Sequence, residues 1–179
     1  MARKQRVSRG KTMRPNFFVF CEGETEEAYI GLLRAHYRAP IQIITKKTLL
    51  NITPALISRI EANYICTKND RTFLMYDLDV PTVLERLKKI PNATLLCSNP
   101  CVELWLLLHY VSQQTKLTSK DCVEKLCAIV PDYRKGAISK SMELDLLQHM
   151  AQAMEHAQKL VPYTNPSTTV FEFIKALEL

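Results

Sequence analysis

Phe17-Phe18-Val19-Phe20-Cys21-Glu22-Gly23-Glu24-Thr25 is the stretch on which the fold turns. Five apolar residues in a row have the length of a strand buried on both faces, and Glu22-Gly23 ends the run abruptly. Thr25 reads as the N-cap of a helix that carries Ile30, Leu33 and Tyr37 along one face. The same strand-then-helix unit recurs downstream. Ile41–Thr45 is a second strand, followed by Thr53-Pro54, a cap and a first-turn proline, and then the stripe Leu56, Ile57, Ile60 and Tyr64. Asn69-Asp70 is a turn, and Thr72–Tyr76 a third strand that runs into Asp77-Leu78-Asp79. Pro81 opens a short helix with Val83, Leu84, Leu87 and Ile90, and Ala93–Cys97 is a fourth strand, broken by Ser98-Asn99-Pro100.

From there on the pattern is helical. Helices are expected over Cys101–Val111, Thr118–Val130, Ser139–Leu160 and from Thr168 to the end, the last two parted by a turn-rich loop over 162–167. Strands alternating with helices predict an α/β fold, a doubly wound parallel sheet flanked by helices, with a helical C-terminal extension. Among 179 residues no repeat or linker divides the chain, so a single domain over 17–179 is expected behind an arm over 1–16.

Composition narrows the class. With 47% hydrophobic and 23% charged residues the chain reads as globular, and no apolar run reaches the ~18 residues of a membrane span. No apolar segment follows the basic N-terminus, so a secretory leader is not expected. Six cysteines without CxxC spacing fit reduced thiols in the cytoplasm. A zinc site on Cys97, Cys101, Cys122 and Cys127 is disfavoured, because positions five apart on a helix point away from each other. Four glycines cannot supply GxGxxG, and Gly10-Lys11-Thr12 lacks both the first glycine and the preceding strand of a P-loop.

The net charge of +6 is carried by Arg3, Lys4, Arg6, Arg9, Lys11 and Arg14; without them the chain is formally neutral. Such an arm suits phosphate contacts with nucleic acid, and equally suits a solvated tail.

The acids are more telling. Glu22 closes the first strand, and Asp77 and Asp79 follow the third, so all three fall at the carboxyl edge where open α/β sheets bind ligands. Clustered carboxylates repel one another unless a cation compensates, and hard oxygen donors select Mg²⁺ or Mn²⁺. The Asp77-x-Asp79 spacing allows a bend to turn both side chains toward one ion. Read blandly, Glu24 and Glu27 complement a helix dipole, and Asp77 and Asp79 form a turn before Pro81. Glu103, after Asn99-Pro100, lies near the same edge. His109 is six residues on, about 240° round a helix, so the two do not share a face, and His109 reads as a core histidine.

These segments resemble a known family. Phe20-Cys21-Glu22-Gly23-Glu24-Thr25-Glu26 resembles the strand-ending Glu-Gly motif of TOPRIM domains, in the EGxTE form of OLD-like nucleases. Tyr76-Asp77-Leu78-Asp79 resembles their DxD motif. Ser98-Asn99-Pro100-Cys101-Val102-Glu103-Leu104-Trp105-Leu106-Leu107-Leu108-His109-Tyr110, Tyr133-Arg134-Lys135-Gly136 and Asn165-Pro166-Ser167-Thr168 look more specifically like the RloB family, a TOPRIM-related group encoded beside an ATPase. Val102 departs from that pattern, which usually has an aromatic residue there.

The resemblance implies a TOPRIM-like fold and a Mg²⁺-dependent nuclease. Glu22 would be a metal ligand or general acid/base, Asp77 and Asp79 would hold the metal, Glu26 would be a second acid and Lys135 a contact to the scissile phosphate. It also implies DNA or RNA (tRNA included) as substrate, an ATPase partner and a setting in antiviral defence. A TOPRIM-derived subunit without catalysis, docking on that ATPase, is the alternative, with the amphipathic segment Met142–Leu160 as its docking surface.

Overall fold

The computed structural model describes residues 13–45 and 52–178. Arg3, Lys4, Arg6, Arg9 and Lys11 of the basic arm lie outside that span, as does Gly10-Lys11-Thr12. Strands β1 (Phe17–Cys21), β2 (Ile41–Ile44), β3 (Arg71–Asp77) and β4 (Ala93–Asn99) pair in parallel in the order β2-β1-β3-β4. The expected α/β parallel sheet is therefore present. The β3 strand is longer than its apolar run suggests, so that Asp77 is its last residue.

Side chains alternate through this sheet into two separate cores. Val19, Cys21, Phe73 and Met75 face one way, and Phe18, Phe20, Leu74 and Tyr76 the other. Covering both faces is what parallel strands require, and it explains why these strands read as continuous apolar runs. Helix α1 (Glu24–Tyr37) lays Tyr29, Ile30 and Leu33 on the first face. Helices α2 (Pro54–Glu61) and α3 (Thr82–Leu87) cover the second with Ile57 and Leu87.

The remaining helices, α4 (Glu103–Leu108), α5 (Ser119–Ile129), α6 (Lys140–Gln148), α7 (Met150–Gln158) and α8 (Phe171–Leu177), contribute to the first core. Every residue of α4 is buried. An apolar helix of this kind belongs in an interior, and α4 lies against α5 and α7. Met142, Leu146, Met150, Ala153 and Ala157 turn the expected amphipathic stripe of Met142–Leu160 inward.

Three expectations need correcting. Thr25 is not a cap: α1 begins at Glu24 with Gly23 as N-cap, and the Thr25 hydroxyl is buried and accepts instead from the Gly136 amide at 2.9 Å. The single helix expected over Ser139–Leu160 is two, because His149 leaves helical geometry (φ −99°, ψ 15°) and its ring Nδ1 sits 2.9 Å from the Asp145 carbonyl. Thr168 does not start the last helix, nor does Ser167 end a loop: the two form a short strand, β5, antiparallel to β4. It is held by polar side chains, which hydropathy cannot reveal. Thr169 Oγ1 accepts from the Cys97 amide at 2.9 Å and donates to the Leu95 carbonyl at 2.8 Å.

One polar staple ties the entry to the sheet. Asp70 accepts from the Asn16 amide at 2.8 Å and from the Thr67 amide and hydroxyl at 3.0 and 2.6 Å. Burial works to raise its pKa, but the hydrogen bonds from Thr67 and Asn16 outweigh this and hold the carboxyl at about 2. Asp70→Ala is expected to cost about 1–3 kcal/mol in urea unfolding, since charged acceptors make the stronger hydrogen bonds. Because the folded pKa is depressed, this stability is complete above the unfolded value near 4 and is lost as pH falls toward 2.

Candidate active site

The sheet order sets the location. The connection from β1 leads to β2 on one side and that from β3 leads to β4 on the other, so the chain diverges between β1 and β3. Ligands of open α/β sheets bind in such a crevice, beyond the carboxyl ends of the strands. Glu22 and Asp77 flank it. The Glu22 amide donates to the Met75 carbonyl at 3.1 Å, extending the ladder by one step, and Glu22 Oε2 accepts from the Asp77 amide at 3.1 Å. Asp77 Oδ1 in turn accepts from the Val102 amide at 2.8 Å, which ties the end of β3 to the entry of α4. Val102, the departure from the family pattern, serves here through its backbone.

Around these groups lies an open cavity of about 300 Å³ whose lining includes Glu22, Glu26, Asp77, Glu103, Lys135 and Gly136. Glu26 comes from the first turn of α1 and is buried, its carboxylate lying over Gly23. Glu103 heads α4 and is 0% exposed. Its Oε1 accepts from the Tyr133 hydroxyl at 2.9 Å and lies 3.9 Å from Lys135 Nζ, while Oε2 is buried with no hydrogen-bond partner. Lys135 itself is mostly in solvent.

The two glycines here do different work. Gly136 adopts φ +79°, and a Cβ there would stand 3.0 Å from Glu24 Cβ. Gly136→Ala is therefore expected to destabilise the fold by about 1–2 kcal/mol, read as a lower urea midpoint. Gly23 is extended, so alanine fits its backbone, but a Cβ would lie 2.9 Å from Glu26 Oε2. Gly23→Ala is expected to shift the Glu26 carboxylate with little loss of stability. The two urea midpoints compared side by side check this.

Electrostatics mark the cavity as short of positive charge. Burial, reinforced by Glu26, Glu103 and Glu22, pushes Asp77 up to about 9 despite the bond from Val102. Burial likewise raises Glu26 to about 7, with Glu103 and Glu22 adding to it and Lys135 opposing. Lys135 is raised, chiefly by Glu103. Burial and Glu103 also push the Tyr133 phenol up, so it remains a protonated donor.

The carboxylates converge without being closed into a cage. Among the described residues, no three His, Cys, Asp or Glu side chains are already grouped as metal ligands. The donor set nevertheless fits a hard divalent cation: all four acids are oxygen donors, they repel one another, and one buried oxygen of Glu103 has no partner.

The other predicted positions separate clearly. Glu22, Glu26, Asp77, Glu103 and Lys135 come together; Asp79 does not. The Leu78 amide donates to the Ser98 carbonyl at 2.8 Å and its side chain is buried in the second core, which leaves Asp79 exposed and outside the cavity lining. His109 lies in the core, its Nδ1 2.9 Å from the Trp105 carbonyl, and burial pushes it down to about 4, so it stays neutral. All six cysteines are free thiols. Tyr133 stood in the segment Tyr133-Arg134-Lys135-Gly136, but its contact with Glu103 was missed, since a tyrosine thirty positions from its acid gives no local sign of that pairing. A signal for Glu103 did exist: one acid heading the run Leu104-Trp105-Leu106-Leu107-Leu108 must be buried with it.

The fold and cavity define a doubly wound α/β protein with an acidic pocket at its topological switch point. The chain belongs to the RloB-like protein family, whose model matches residues 17–177. Nothing among curated proteins or solved structures matches it. No helix among the described residues is long and apolar enough to cross a membrane.

Proposed function

We propose that the chain is a divalent-cation-dependent phosphodiesterase of TOPRIM type that cuts nucleic acid. The observation that carries this reading is the convergence of Glu22, Glu26, Asp77 and Glu103, from three separate regions of sequence, on one cavity that also presents a lysine. Glu22, Glu26, Asp77 and Glu103 would hold Mg²⁺ or Mn²⁺. Such an ion, when bound, polarises phosphoryl oxygens and lowers the pKa of an attacking water.

The chain's own groups do the rest. The Val102 and Asp77 amides fix the Asp77 and Glu22 carboxylates, so little reorganisation is needed on binding. Glu22 is half-buried at the end of β1, unlike the buried Glu26 and Glu103, and would be the acid to take a proton from water. Lys135, anchored by its loop yet solvent-exposed, supplies a mobile cation for the phosphate. Kinship with RloB-like proteins supports an effector role beside an ATPase in antiviral defence. The non-catalytic docking alternative has less support, because the stripe of Met142–Leu160 is spent on the interior.

The test is cleavage of labelled RNA and DNA by purified protein, with and without the ATPase, in Mg²⁺, Mn²⁺ or chelator. Cleavage that needs the cation and disappears in both Glu22→Gln and Asp77→Asn is expected; full cleavage by both variants overturns the reading.

A further inference from the structure

Glu103 presents an asymmetry that the cavity alone does not explain. Its carboxylate is 0% exposed, yet only one of its two oxygens is engaged. Oε1 receives the Tyr133 hydroxyl at 2.9 Å and has Lys135 Nζ at 3.9 Å, whereas Oε2 accepts no hydrogen bond among the described residues, the Cys101 thiol being the other polar group close to this carboxylate. A buried carboxylate oxygen left bare is costly unless something fills its place.

Tyr133 is itself buried at 3% exposure, and its loop is fastened at the far end. The Gly136 amide donates to the buried Thr25 hydroxyl at 2.9 Å, and the Tyr133 amide donates to the Val130 carbonyl at 3.0 Å. The loop that carries the phenol is thus anchored on both sides of Tyr133 by bonds that do not involve Glu103.

We infer that Tyr133 is a positioning residue: its hydroxyl holds Glu103 Oε1 so that Oε2 is presented to a divalent cation in the cavity shared with Glu22, Glu26 and Asp77. This rests on the cation-dependent reading above. Tyr133 touches neither ion nor substrate in this role. It works as the groups behind metal ligands generally do, by fixing the orientation of a ligand, and loss of such a partner typically weakens metal binding by about 10–100-fold.

The experiment is a double-mutant cycle on Mn²⁺ affinity, read by calorimetry and by the spin-resonance signal of free Mn²⁺, with wild type, Tyr133→Phe, Glu103→Gln and the double variant. Phenylalanine keeps the ring and removes one atom. Tyr133→Phe is expected to weaken Mn²⁺ binding about tenfold or more in the wild-type background, and by less than about twofold once Glu103 is already glutamine. An unchanged Kd in Tyr133→Phe, or an equal loss in both backgrounds, overturns the inference while leaving the cation site standing. A wild-type chain that binds no Mn²⁺ overturns the cation-dependent reading, and this inference with it. Should the Tyr133→Phe chain fail to fold, 3-fluorotyrosine placed at 133 keeps the hydroxyl. Its fluorine resonance is expected to move on saturation with Mg²⁺, and a resonance that stays still overturns the inference.

Discussion

Asp77→Asn is expected to lower cation-dependent cleavage by about 10³-fold or more while raising the thermal midpoint of the cation-free protein. The two effects have one origin. Asp77 closes β3, faces Glu22, Glu26 and Glu103, and is pushed up to about 9 first by burial and then by these neighbours. Its charge therefore opposes folding: without a cation the buried carboxyl stays protonated near neutral pH, and a cation in the cavity would offset the charge. Asparagine keeps the oxygen that receives the Val102 amide, so the local geometry survives. What disappears is a charge and a ligand whose contribution to transition-state stabilisation is of the order of several kcal/mol, each 1.36 kcal/mol being tenfold in rate. Melting curves in chelator and initial rates in Mg²⁺ check both halves. A variant that loses activity by unfolding would show a lower midpoint, the opposite sign.

Binding of Mg²⁺ or Mn²⁺ is expected to stabilise the wild-type protein more at pH 8.5 than at pH 6. Asp77 and Glu26 have folded pKa values raised to about 9 and about 7. For acids raised in this way, stability is complete below the unfolded value near 4 and is lost as pH climbs through the folded values. The cation-free protein should thus weaken between pH 5 and pH 9. A bound cation replaces the protons and flattens the curve, so its apparent affinity rises with pH over the same window. After discounting for screening and relaxation, the gap at pH 8.5 is on the order of 2–4 kcal/mol. At about 2–4 °C per kcal/mol for a chain of this size, that is a shift of about 4–16 °C. Calorimetric scans at several pH values, with and without 10 mM Mg²⁺ (roughly a saturating concentration for such a site), measure it. A pH-independent shift would mean that these two acids do not face the ion.

How much of the site was legible depended on how local its causes are. Glu22 and Asp77 were visible because each ends an apolar run, and register then brings them side by side: Cys21 pairs with Met75, and the next residues continue the ladder. Glu26 was visible through the motif, and the structure adds that its carboxylate lies over Gly23. Asp79, expected beside Asp77, lies outside the cavity lining for an equally local reason. The DxD spacing suggests a bend, but the chain beyond Asp77 continues along β4 through the Leu78 amide, and a residue two further on then lies outside the cavity. Helix starts at Thr53, Thr118 and Ser139 were legible because each hydroxyl caps its own helix. Thr25 was not, because its hydroxyl serves a loop more than a hundred residues away.

The sequence alone determined the alternation of strand and helix, the two-faced burial of the sheet and the acids at the strand ends, since each of these follows from the period of hydrophobicity and from neighbours along the chain. Only the tertiary structure decided that Glu103 joins the cavity in place of Asp79, that Tyr133 grips one of its oxygens and that Ser167–Thr168 closes the sheet. Those choices rest on hydrogen bonds between segments twenty to seventy residues apart. Such bonds are made by polar atoms whose partners are set by packing, and packing leaves no periodic mark on the chain.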